Sequence, residues 1–158
     1  MPPLVKVYEA MGALGDRRIR IESATRALVT SSEGTKTYEV EISDGGHSIA
    51  SNDNASYWQG YLGYPAIAVL IERGVIARPP ANAINGLSGI PWKEINRRFR
   101  NEYAKTIAEV ERIAGQSGHD PDAIRAEATA ILEAIRKLAP YRGTRSRPPR
   151  EARGKGPR

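Results

Sequence analysis

Arginine is the residue type whose spacing in this sequence points most directly to chemistry. Between Tyr141 and Arg158 stand Arg142, Arg145, Arg147, Arg150, Arg153, Lys155 and Arg158, against one acid, Glu151. This stretch holds the whole formal net charge of +6, because residues 1–140 balance. Guanidinium groups grip phosphate in bidentate fashion and stack on bases, so the tail suits contact with a DNA or RNA backbone. Some five or six phosphate contacts would give a log–log salt slope of roughly −4 to −5 on duplex DNA. A solubilising tail, or a tether for an acidic protein, is the competing reading. A second basic set, Lys93, Arg97 and Arg100, falls at i, i+4 and i+7 of a helical pattern, with Arg98 and Lys105 near. Glu94, Glu102, Glu109 and Glu111 share that pattern, so a salt-bridged surface accounts for much of it.

The aromatic residues form the next candidate. Tyr57, Trp58, Tyr61 and Tyr64 are four of the chain's ten aromatics and lie within eight residues. Exposed, they would offer stacking surface for bases or a protein-binding hot spot. Buried, they would plug the core, with polar tips at its edge.

Catalytic and metal chemistry find little to stand on. The chain has no cysteine, which excludes disulfides, thiol catalysis and cysteine-ligated zinc. His47 and His119 are far apart in sequence, and neither has a partner at ligand spacing. Asp44 and Asp53 lack the spacing of a hard-ion loop. Ser48 and Ser51 flank His47 without a third group to complete a triad. No glycine-rich phosphate loop or telling carboxylate pair occurs. The expectation is a protein that is not an enzyme and uses no metal or cofactor.

The elements that must position these residues are legible in outline. Leu4, Val7, Met11 and Leu14 recur at helical spacing up to Gly15-Asp16. Arg18 to Glu22 alternates, with Ile19 and Ile21 on the inward side, and Ala27 to Ser31 is a second strand. Thr37 to Ile42 is a third, with Tyr38, Val40 and Ile42 on one face; Gly45-Gly46 turns the chain into His47 to Ala50. Pro65 opens a helix that runs to about Arg73 and stops at Gly74. Asn82 to Leu87 suggests one more short helical turn. From Pro91, the residues Trp92, Ile95, Phe99, Tyr103, Ile107, Val110 and Ile113 predict one long helix. Asp120-Pro121-Asp122 starts another, with Ile124, Ala128, Ile131, Leu132, Ile135 and Leu138 as its apolar stripe. The five-residue link predicts that these two helices pair antiparallel. After Pro140 the pattern collapses and composition favours disorder.

The stretch from Thr37 to Arg73 also resembles a known module. Its order is a Tyr-x-Val-x-Ile strand, a glycine turn, a short strand, an Asp-containing turn at Asp53, a glycine-rich loop and the run Ala66 to Leu70 before Gly74. This resembles the SWIM zinc-binding module, and the likeness covers roughly residues 10–74. In that family a Cys-x-Cys would stand at Ile49-Ala50-Ser51 and a Cys-x-His near Gly63-Tyr64-Pro65. Those four ligand positions are empty here. The resemblance implies a metal-free version in which Ile49, Tyr57, Trp58, Tyr61 and Tyr64 tie strand to helix. It also implies a role in DNA binding or protein interaction.

Together these readings predict an α+β chain. Residues 1–140 form one domain: a small antiparallel sheet of three to four strands packed with helices, followed by a helical hairpin over residues 91–140 that covers the sheet. Residues 141–158 form a disordered Arg-rich tail. The expected function is a non-enzymatic, cytoplasmic binding module for nucleic acid. It would act through the tail and through Lys93, Arg97 and Arg100. A protein-interaction subunit using the aromatic cluster or the hairpin is the alternative. No segment reaches the length of a membrane span.

Overall fold

The computed structural model of the protein describes residues 1–143 and 147–150. Its two innermost elements are helices with almost no polar face. Helix α1 (Leu4–Gly15) buries every residue from Val7 to Leu14, and α2 (Tyr64–Glu72) every residue from Pro65 to Ile71. A helix that is apolar all round is satisfied only inside a protein. Pro65 sits in the first turn of α2, where its missing N–H costs nothing, and Gly74 at φ 77° turns the chain away at the other end.

The sheet has the strand order β1 (Ile19–Ile21), β2 (Arg26–Thr30), β3 (Thr37–Ser43), β4 (Ser48–Ser51) and β5 (Tyr141–Arg142). The first four strands form an antiparallel meander, and β5 adds in parallel to β4. Strict alternation places Tyr38, Val40 and Ile42 of β3 inward and leaves Thr37, Glu39, Glu41 and Ser43 exposed. The inner face of the sheet packs on α2, and α2 packs on α1. The remaining α-helices are α3 (Ala81–Asn85), α4 (Trp92–Arg98), α5 (Tyr103–Gln116) and α6 (Pro121–Leu138), with short 3-10 and π turns at Asp44–Gly46 and Ala55–Gln59. Asp120 caps α6: its Oδ1 accepts from the Asp122 amide at 3.0 Å.

The fold is α+β, as expected, but four details differ from the sequence reading. The α5–α6 hairpin lies on α1 rather than over the sheet. α1 is buried on every side, so it needs a cover of its own. The single helix expected from Pro91 is broken: Arg100 and Asn101 take left-handed φ values of 52° and 60° between α4 and α5. The apolar spacing hides this break, since Phe99 and Tyr103 pack against the core on both sides of it. Ile21 is 44% exposed although its register with Ala27 sets it on the inner face, because β1 is an edge strand. The chain also stays ordered beyond Pro140. The amides of Tyr141 and Gly143 donate to the carbonyls of His47 (2.6 Å) and Ile49 (2.8 Å), which adds the fifth strand. A two-residue strand has no periodicity to read. The rest of the expected disorder falls largely on residues 144–146 and 151–158, outside the described residues. No helix among the described residues is long and apolar enough to cross a membrane.

Candidate functional site

The break between α4 and α5 sets α4 beside a cleft. α4 turns so that Trp92 packs against Gly12 of α1; a Cβ at Gly12 would sit 2.7 Å from the indole Nε1. This holds α4 across the mouth of a space bounded by α1, the β2–β3 turn and the start of α2. The cleft has a volume of about 400 Å³.

Five cations line it: Lys6, Arg18, Lys36, Lys93 and Arg97. Only two carboxylates do so, Glu9 and Glu33, and both are held. Glu9 is 4% exposed. Its Oε1 accepts from Asn96 Nδ2 at 2.9 Å and its Oε2 meets Lys6 Nζ at 3.3 Å. Thr106 Oγ1 donates to Asn96 Oδ1 at 3.1 Å and completes this buried chain. Burial works to lower the Lys6 pKa, but Glu9 and the Tyr103 ring beside it outweigh that and hold it above its ordinary value. Glu33 pairs with Lys93 Nζ at 3.2 Å. Arg18 donates to the Thr30 carbonyl at 2.7 Å and lies 5.6 Å over the Tyr64 ring. Lys36 and Arg97 have no carboxylate partner among the described residues. Two amide side chains of the lining, Asn54 and Asn101, are exposed and have no side-chain hydrogen bond among the described residues.

A polar clamp places Asn54. Asp53, 4% exposed, accepts from Ser51 Oγ (2.5 Å), Ser56 N (3.0 Å) and Ser56 Oγ (2.8 Å), and Ser56 Oγ in turn accepts from Gly63 N (3.2 Å). Asn52 Oδ1 takes the Glu39 amide at 2.8 Å. β4 is thereby tied to the start of α2 by hydrogen bonds and not by the aromatic plug expected from sequence. The aromatic group divides instead. Tyr64 is half-buried, edge-on to Tyr38 with ring centres 6.2 Å apart, and burial pushes its hydroxyl pKa up. Tyr57 and Tyr61 are half-buried, and Trp58 is 69% exposed, resting T-shaped on Tyr57.

The cleft gathers Lys93 and Arg97 but not Arg100, which is exposed in the helix break. Arg142 lies in β5 on the far side of the Asn52–Tyr64 segment, where its guanidinium crosses Gly60 and lines a second space of about 350 Å³. Arg147 and Arg150 are exposed, outside any helix or strand. Arg145, Arg153, Lys155 and Arg158 lie outside the described residues. Sequence reasoning did not assign Lys6, Arg18, Lys36, Asn54 or Asn101 to this site. Only the turns that bring the β2–β3 loop opposite α4 join them. Among the described residues no group of three or more His, Cys, Asp or Glu is placed to hold a metal ion.

A family model described as Uncharacterised conserved protein UCP014422 matches residues 1–141. No curated protein and no solved structure matches the chain. The match runs from the first helix through the α5–α6 hairpin to β5. It overturns the resemblance to the SWIM module: residues 10–74 are the first half of a different conserved unit, not a zinc module that has lost its ligands.

Proposed function

The chain belongs to that family, and on this footing we propose that it is a non-enzymatic binding protein for nucleic acid. The observation behind this reading is the imbalance in the cleft: five cations face two carboxylates that are already occupied, and Lys36 and Arg97 are left to meet an external anion. Binding fits the site better than catalysis, because Glu9 is locked between Lys6 and Asn96 and Glu33 is paired with Lys93. The tail, which holds all of the net charge, would add sequence-independent contacts to the phosphate backbone. The test is a salt series. The full chain is titrated against labelled single-stranded RNA and duplex DNA, alongside a full-length variant with Arg145, Arg147, Arg150, Arg153, Lys155 and Arg158 changed to Gln. Binding at low salt that weakens with added salt supports the reading. No binding by the full chain at low salt refutes it.

The exposed Trp58 favours a second reading, protein interaction, since a surface tryptophan braced by a tyrosine makes a good anchor for a partner. A Trp58→Ala substitution that abolishes partner capture while leaving nucleic-acid binding intact would support it.

A further inference from the structure

Taking the nucleic-acid reading as its basis, we infer that the cleft holds one unpaired nucleotide, with its phosphate between Lys36 and Arg97 and its base edge at Asn54 and Asn101. Three observations lead here. The first is size. About 400 Å³ lies in the range of small-ligand pockets, enough for a nucleotide and far too narrow for a duplex. The second is the placement of charge. Lys36 comes from the β2–β3 turn and Arg97 from α4, so two cations without carboxylate partners line the same space from two different elements. A phosphate between them would gain charge-assisted bonds from both. The third is the pair of lining amides. Each offers donors and an acceptor, the pattern that pairs with a base edge. In a duplex those edges are already paired, whereas in a single strand they are free. A general anion site would need the cations but not the amides.

The ligand chemistry is a nucleoside monophosphate unit, either free or within a single strand. Isothermal titration of the full chain with adenosine monophosphate, cytidine monophosphate, inorganic phosphate and a short single-stranded RNA tests it. Both nucleotides and the RNA are expected to bind, with inorganic phosphate weaker than either nucleotide. The double substitution Lys36→Glu/Arg97→Glu should weaken nucleotide binding by at least about tenfold, since two charge-assisted contacts are reversed. Asn101→Gly keeps the left-handed backbone while removing the amide, so it should weaken the nucleotides but not phosphate. Changing the six cations from Arg145 to Arg158 to Gln should weaken RNA binding more than nucleotide binding. RNA binding tighter than nucleotide binding in that tail variant identifies the strand as the source; equal binding identifies the free nucleotide. Both outcomes support the site. Nucleotides that fail to bind, or bind the double variant as well as wild type, overturn it. If RNA then still binds in a tail-dependent way, the inference fails and the broader function stands. If neither RNA nor DNA binds, both fail.

Discussion

Substituting Gly63 by alanine should unfold the link between the sheet and α2, although the backbone there suits any residue. Gly63 has φ −76° and ψ 168°, so alanine meets no conformational penalty. By itself that would favour the substitution by about 0.4–1 kcal/mol, through a stiffer unfolded chain. The obstacle is Asp53: an alanine Cβ would overlap its Oδ1 and lie 2.5 Å from its Cγ. Asp53 is short, buried and held by three hydrogen bonds, so it has no free rotamer to retreat into. Swinging it aside breaks at least one or two bonds to a charged group, at about 1.5–3 kcal/mol each. The net loss is about 2–4 kcal/mol, which for a domain of this size lowers Tm by roughly 6–15 °C. Urea unfolding followed by circular dichroism measures it. The same substitution in an Asp53→Ala background meets no carboxylate and should be nearly neutral. An unchanged midpoint for Gly63→Ala, or a loss of the same size in the Asp53→Ala background, would refute the reasoning.

Three further outcomes follow from the packing. Gly12→Ala should cost about 1–3 kcal/mol by pushing the Trp92 indole off α1, and should red-shift part of the tryptophan emission. Arg100→Gly should be neutral or stabilising by up to about 1 kcal/mol, because glycine relieves the left-handed strain at φ 52°; Arg100→Val should destabilise, and thermal melts would show the opposite signs. Stability should hold up to pH 10 and fall above it. Burial pushes the Tyr8 hydroxyl up to about 12 from an unfolded value of 10.0, so above pH 10 the unfolded chain releases a proton that the folded one retains. Tyr64 acts in the same direction, again through burial. Alkaline titration by circular dichroism should place the loss between pH 10 and about 12, and tyrosinate absorbance should rise with it.

The fold was legible wherever one local pattern decided one element. Leu4 to Gly15, the Tyr38–Val40–Ile42 alternation, Pro65 as a helix start and Asp120 as a cap each appear where the sequence placed them. The break at Arg100-Asn101 was hidden because the apolar spacing continues across it; asparagine favours left-handed φ, but arginine gives no such signal. β5 was hidden because its pairing partner is about ninety residues away and two residues make no pattern. The site was only partly legible. Lys93 and Arg97 could be found as a helical pair, but Lys36, Asn54 and Asn101 join them only through tertiary folding. Asp53 was read as a turn residue of a lost metal module. Its role as the buried acceptor that ties β4 to α2 depends on Ser51, Ser56 and the close approach of Gly63, which no spacing announces.

Amide-shift mapping of the isotope-labelled full chain with a short single-stranded RNA tests the account most directly. Saturable shifts at Lys36, Asn54, Arg97 and Asn101, in addition to any in the tail, are the predicted result. Shifts confined to residues beyond Gly143, or no shifts at all at low salt, would contradict it.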